Sequence, residues 1–421
     1  MTGGATGNTS DLKILLHGRR IATISRLADD RNLLVLEDDY IQNPDRPTLG
    51  LGFMDQAGEL LTEFHPTRMR LHPFFSNLLP EGALREYLAK RAGVKSSREF
   101  FLLAVLGKDL PGALTVEARE LDDVFTLLSA QERGTVESGS ANSPSRMRFS
   151  LAGVQLKFSA ILEAAGGLTI PAEGVGGNWI IKLPSALYAR VPENEYSMLE
   201  LARHIGMQVP EVRLIPAREI EGLPIGMEDF AGQALAVRRF DRAGDGSPIH
   251  IEDFAQVYGV YPEAKYEKAS CQSLARVLWR DSGGDDLAEL VSRLVFNALI
   301  GNADMHLKNW SLIYPDQRHP RLAPCYDFVS TIAWIPDDRE MALSLAGTRS
   351  MLDLSWDTLE RFAAKARIPR ELVLAAADRT VQAFIETWRK HRQDLPLDER
   401  HADRIDAHSQ SIPLLKTARP K

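Results

Sequence analysis

The chain has 421 residues, 44% of them apolar and 25% charged, and carries a net charge of −7. That is enough apolar material for two to four domains of about 100–200 residues each, and the acidic balance argues against a global nucleic-acid-coating role. The two cysteines, Cys271 and Cys325, are spaced for neither a disulfide framework nor a zinc cluster and fit a reducing cytoplasm.

In chain order, MTGGATGNTSDLK shows no basic start followed by an apolar stretch, so no secretory leader is expected. The longest apolar run, Phe100–Gly107, falls far short of the roughly 20 residues that span a bilayer, so no membrane is expected either. Residues 1–130 read as a small mixed α/β unit. Short strands are predicted at Lys13–His17, Arg20–Ile24 and Asn32–Glu37, and helices at Glu81–Arg91 and Ser97–Leu106. Its titratable groups are scattered, and none suggests chemistry. Residues 131–148 turn polar and rich in Gly and Ser, the composition of a linker or loop.

From 149 to 240 the pattern predicts strands near Leu156–Leu162, Trp179–Leu183, Glu211–Pro216 and Ala234–Phe240, with a helix over Glu193–Ile205. From 241 to 421 it becomes mostly helical, with helices predicted at Asp285–Ile300, Ser355–Lys365, Arg370–Lys390 and Arg400–Leu415. One hairpin, Trp310–Ile313 with Arg321–Ala323, is the sole β interruption expected there. The fold class is therefore α+β: a strand-rich lobe followed by a helical lobe, bilobal in the manner of protein kinases, behind a small N-terminal subdomain.

The chemistry concentrates where the lobes join. Asp304, Asn309 five positions later and Asp327 beyond the hairpin follow the order of a kinase catalytic base and two Mg²⁺ ligands. Phosphoryl transfer needs positioning, charge neutralisation and an oriented acceptor hydroxyl rather than covalent help. An aspartate after a helix, an amide oxygen and a second carboxylate supply those needs. His306 and Lys308 lie between them as candidate counter-charges. The plainer alternative makes Asp304 and Asn309 loop caps and Asp327 a turn residue. Lys182 closes an apolar strand and precedes a helix containing Glu195, the strand-lysine and helix-glutamate pairing that holds ATP phosphates; Glu193 and Glu200 are weaker partners. The turn through Ser150, Ala152, Gly153, Val154, Gln155, Leu156 and Lys157 enters a strand and can present backbone N–H groups to phosphate.

Taken together, these segments resemble the HipA family of serine/threonine-kinase toxins from bacterial toxin–antitoxin operons. The likeness runs through Phe74–Glu81, Ser150–Lys157, Ile181–Pro184, Asn194–Glu195, Val237–Arg242, Ile300–Asn309 and Tyr326–Asp327. It implies transfer of the ATP γ-phosphoryl group to a protein of the aminoacyl-tRNA synthetase class, with translation arrest and persistence as the outcome. Asp304 matches the base, Asn309 and Asp327 the Mg²⁺ ligands, Lys182 the ATP lysine and Ala152–Lys157 the phosphate loop. His306, Leu307, Lys308, Asn309 and Tyr326 match further nucleotide contacts. Arg238, Arg239 and Phe240 match the segment that grips adenine through its backbone. Ser150 matches an autophosphorylated serine, whose charge of about −1.5 to −2 would repel the triphosphate and silence the enzyme. The implied partners are a HipB-like helix-turn-helix antitoxin and, mainly through it, operator DNA. Two positions depart from the family: Arg238 stands where Glu is frequent, and Leu156 where a polar residue is common. The rival readings are a small-molecule kinase of the aminoglycoside-phosphotransferase type and a catalytically silent corepressor scaffold.

Overall fold

Alternation of apolar and polar residues builds the first sheet. In Ser10–Leu16, Leu12, Ile14 and Leu16 are all turned inward, and Ile21, Ala22 and Ile24 of Arg19–Arg26 join them. In this computed structural model, which describes residues 10–27, 29–91, 93–118, 157–162, 168–169, 177–223 and 231–420, five antiparallel strands form that sheet. Their order is Thr67–Arg68, Arg31–Leu36, Arg19–Arg26, Ser10–Leu16 and Leu114–Ala118. The helices Gly82–Arg91 and Glu99–Leu106 accompany it, and Phe100 to Leu103 are buried in its core.

A second sheet has the order Ile220–Glu221, Leu168–Thr169, Lys157–Leu162, Trp179–Lys182, Gln233–Arg238 and Val212–Pro216. Lys157 and Leu235 flank Lys182 in register, which fixes where that lysine leaves the sheet. The helix Val191–His204 packs beside it. Pro192 opens that helix, where its missing N–H is harmless, after Arg190 in the left-handed region.

The remaining residues form the helical lobe around Gly284–Leu299, Trp356–Ala366 and Arg370–His391. The expectation of a single β interruption there is corrected twice. His250–Asp253 adds a third strand to Ser311–Tyr314 and Arg321–Leu322. Glu340–Leu345 and Thr348–Ser350 make a separate hairpin. Its turn residues, Ala346 and Gly347, both take positive φ (55° and 102°), the geometry that matches strand twist but without the Asn-Gly signature. The long last helix is also corrected: it ends at Ser411, and Pro413 starts a separate short one, because its ring cannot continue the hydrogen-bond ladder. A helix at Cys271–Asp281 was not anticipated. Among the described residues no helix is long and apolar enough to cross a membrane. The expected linker, 131–148, lies outside the described residues.

Buried polar contacts seat the N-terminal unit on the rest. His250 donates through Nε2 to the Leu49 carbonyl at 2.8 Å, and the Gly112 N–H donates to Asp241 at 2.8 Å. Glu252 accepts from the Leu51 N–H at 2.8 Å and from the Tyr314 hydroxyl at 2.5 Å. Burial pushes the Glu252 carboxyl up to about 8, although both hydrogen bonds oppose the shift. A carboxyl raised in the folded state keeps a proton that the unfolded chain has released. Its contribution therefore declines as pH rises from 4.5 and is lost once pH passes about 8. Melting temperatures measured from about pH 5 to pH 8 should fall more steeply for the wild type than for a Glu252→Gln variant. Parallel curves would show that Glu252 is ionised throughout.

Candidate active site

Lys182 closes its strand pointing into the space between the lobes. Its Nζ donates to Glu195 Oε1 at 2.5 Å and also to the Asp327 carboxylate. Lys182 and Glu195 are almost wholly buried, and Asp327 is half-buried. Burial alone would lower the lysine's pKa; the Asp327 and Glu195 charges outweigh it and hold the ammonium above its ordinary value. Thus Glu195 is the glutamate that meets Lys182, while Glu193 faces Arg190 and Glu200 faces Arg203. Asp327 takes a left-handed φ of 54°, a costly conformation for a non-glycine residue that the surrounding fold must impose.

Asp304 follows the helix Gly284–Leu299 through a tight turn. Gly301 is required there: its φ is +69°, and a Cβ would lie 2.4 Å from Ile332. The close approach lets Thr331 donate to the Gly301 carbonyl and accept from the Ala303 N–H, each at 3.0 Å. The loop bearing Asp304 and the segment after Asp327 are thereby stitched together. Asp304 opens to solvent yet is crowded by protein. Desolvation raises its carboxyl, the Tyr266 hydrogen bond and Lys265 oppose, and the Asp327 and Asp338 charges add to the rise. Asn309 donates to the Asp304 carbonyl at 2.8 Å, which fixes the loop between them.

Other anticipated residues lie in the same cleft but with altered parts. His306 is buried, and desolvation with Lys265 nearby lowers its ring to about 3. It is neutral at physiological pH and supplies no counter-charge, contrary to expectation. Lys308 is a cation, but Glu81 of the N-terminal unit sits 2.6 Å from its Nζ. Leu307 is a core residue, fully buried. The Tyr326 hydroxyl shares 2.5 Å with Ser311 Oγ and donates to the Lys308 carbonyl at 2.8 Å, so it braces the loop, while its ring packs 5.7 Å from Phe240.

The 238–240 segment departs from a purely nucleotide-facing role. The N–H groups of Arg238 and Arg239 donate to the Glu211 and Asn178 carbonyls at 2.8 Å. The Arg238 side chain is half exposed beside Glu211. The Arg239 guanidinium turns to Asp241, Asp109 and Ser159, tying the sheet to the N-terminal unit. Ser150, Ala152, Gly153, Val154, Gln155 and Leu156 lie outside the described residues; of Lys157 only the backbone position is described.

Four contributors were not anticipated. Tyr266 donates to Asp304 Oδ1 at 2.7 Å. Asn194 accepts from the Ser330 N–H at 2.9 Å and donates to its carbonyl at 3.4 Å. Glu81 and Lys265 form an ion pair at 3.0 Å at the edge of the same loop. Glu81 and Asn194 fall within segments that carry the family likeness, although the sequence assigned neither a role; Tyr266 and Lys265 had no sequence signal.

Comparison with known proteins places the chain in a family. Residues 149–388 match the HipA-like C-terminal domain and residues 12–117 the HipA N-terminal domain. The chain belongs to the HipA family. It is 49% identical over 407 residues to Y4dM of Sinorhizobium fredii, a protein whose name designates it a kinase, covering 96% of this chain and 98% of that one. It is 25% identical over 360 residues to the serine/threonine-protein kinase toxin HipA of Shewanella oneidensis, covering 76% and 78%. The solved Shewanella oneidensis HipA, in complex with HipB and operator DNA, superposes with a TM-score of 0.71 at 22% identity over 96% of both chains. The fold is accordingly the bilobal, kinase-like α+β arrangement.

Proposed function

We propose that the protein is an ATP-dependent serine/threonine kinase of the toxin type. The observation that carries this reading is the buried contact of Lys182 with both Glu195 and Asp327, which sets a permanent cation beside a carboxylate at the mouth of the interlobe cleft. In this reading Lys182 binds the nucleotide phosphates, and Glu195 fixes the direction in which its ammonium points. Asn309 and Asp327 offer the neutral and anionic oxygens that suit a hard divalent cation. Such an ion, Mg²⁺ in kinases, neutralises phosphate charge when bound with ATP. Asp304 orients the acceptor hydroxyl and takes its proton as that oxygen bonds to the γ-phosphorus and the bond from the γ-phosphorus to the β–γ bridging oxygen breaks, with ADP leaving; its raised pKa improves it as an acceptor. Ser150 is the proposed site of self-phosphorylation, as in the family it resembles.

The proposed substrate is a protein of the aminoacyl-tRNA synthetase class, and the proposed partner a HipB-like antitoxin that carries the complex to operator DNA. Support comes from the family and from the named Shewanella oneidensis relative. Incubation with radiolabelled ATP, Mg²⁺ and a panel of purified synthetases should label one of them on serine or threonine. A Ser150→Ala protein should label the same substrate without losing activity over time. Label on an aminoglycoside and on no protein would favour the small-molecule reading. ATP left unconsumed under all conditions would favour the scaffold.

A further inference from the structure

The N-terminal unit reaches the candidate site through the Glu81 carboxylate and, at Lys308, also through the Asn77 carbonyl. Glu81 stands at the start of the helix Gly82–Arg91, directly after the buried Phe74, Phe75, Leu78 and Leu79. Its Oε1 lies 2.6 Å from Lys308 Nζ and its Oε2 3.0 Å from Lys265 Nζ. Both lysines flank functional side chains. Lys308 precedes Asn309, and Lys265 precedes Tyr266, whose hydroxyl holds Asp304 at 2.7 Å. The two loops are further joined where the Leu307 N–H donates to the Lys265 carbonyl at 3.3 Å.

The surroundings are built to keep this carboxylate in place. Lys308 donates to the Asn77 carbonyl at 3.1 Å, and Asn77 donates to the Val260 carbonyl at 2.7 Å. Separately from the Glu81 bridge, the same interface has Gln256 donating to the Phe74 carbonyl at 3.1 Å and Tyr261 to the Leu71 carbonyl at 3.1 Å. Burial would raise the Glu81 carboxyl, but Lys308 and Lys265 more than offset it and bring it down to about 2, so it is charged at all physiological pH. Without that charge, the Lys308 and Lys265 ammonium groups would lose the carboxylate they share.

We propose that Glu81 is a positioning residue of the kinase site, contributed by the N-terminal unit, which bridges Lys265 and Lys308 and so fixes the loop that presents Asp304 and Asn309. The inference rests on the kinase reading above. It gives the N-terminal unit a part in phosphoryl transfer itself: the site is incomplete without it, although Glu81 touches neither substrate nor nucleotide. Neutralising Glu81 disturbs the loop that acts on the acceptor, but leaves Lys182, Glu195 and Asp327 undisturbed. The signature is a fall in kcat that exceeds any rise in the KM for ATP, which reaches the loop through Asn309 alone.

The test compares the full-length wild type, Glu81→Gln, Glu81→Asp and Tyr261→Phe. Tyr261→Phe loosens the same interface without touching either lysine. Each is assayed for transfer to the accepting synthetase and for calorimetric binding of a non-hydrolysable ATP analogue with Mg²⁺. Glu81→Gln should lose about 10- to 100-fold in kcat, the scale of a misplaced reacting group, with full binding stoichiometry. Glu81→Asp should recover part of the loss, and Tyr261→Phe should match the wild type. Wild-type kcat in Glu81→Gln, or losses in Glu81→Gln and Tyr261→Phe that track their melting temperatures alike, would overturn the inference and leave the kinase reading standing. A wild type that neither binds the analogue nor transfers phosphate would overturn both.

Discussion

Replacing Lys182 with Met is expected to abolish nucleotide binding and, unusually for a site substitution, to destabilise the protein by about 3–5 kcal/mol. The ammonium is buried between Glu195, itself buried, and Asp327. Ion pairs at the surface contribute little, but removing one partner of a buried set strands the others in a poorly solvating environment. Methionine fills most of the volume, so the loss is electrostatic rather than a cavity. A urea titration of the whole chain, followed by tryptophan fluorescence, reads the stability. Calorimetry with the ATP analogue reads the binding. An unchanged urea midpoint would mean that water reaches the cluster and that the site is looser than described.

Asp304→Asn should behave in the opposite way. Its carboxylate opens to solvent and accepts from the Tyr266 hydroxyl, as an amide oxygen still can. The substitution also relieves repulsion from Asp327 and Asp338, which help to raise the Asp304 carboxyl. Folding stability should be unchanged or slightly improved and analogue binding retained. Transfer should nevertheless fall by about 10²- to 10⁴-fold, because the acceptor proton has lost its destination. Single-turnover transfer with saturating ATP separates this chemical defect from binding. Equal single-turnover rates for the two proteins would remove Asp304 from the reaction.

The parts of the site that were legible share one property: each announces itself through local pattern. Lys182 ends an apolar strand, Glu195 falls on the buried face of the next helix, and Asp304, Asn309 and Asp327 are spaced around a hairpin marked in the sequence by its Pro-Asp-Gln-Arg-His-Pro connection. The missed contributors act across the chain instead. Glu81 meets residues 184 positions on and beyond, and Asn77 meets Lys308 at a separation of 231. No periodicity encodes such a meeting; it exists only once both units have folded and docked. The side-chain environments have a different cause. Whether His306 carries charge depends on its burial, and where the Arg239 guanidinium turns depends on Asp109 and Asp241 being near. Residue type alone decides neither. The extra hairpin at 340–350 escaped because its turn is Ala-Gly, a pairing with little turn preference of its own.

The Asn194 amide, joined to Ser330 by both its oxygen and its nitrogen, makes the helix carrying Glu195 and the segment carrying Asp327 a single lever. Moving either arm alone breaks both of these hydrogen bonds. A partner that pries at either one, from whatever side of the molecule, withdraws the glutamate and the aspartate from Lys182 in one stroke. In the proposed kinase reading, the two carboxylate contacts of Lys182 are thereby coupled through one amide side chain.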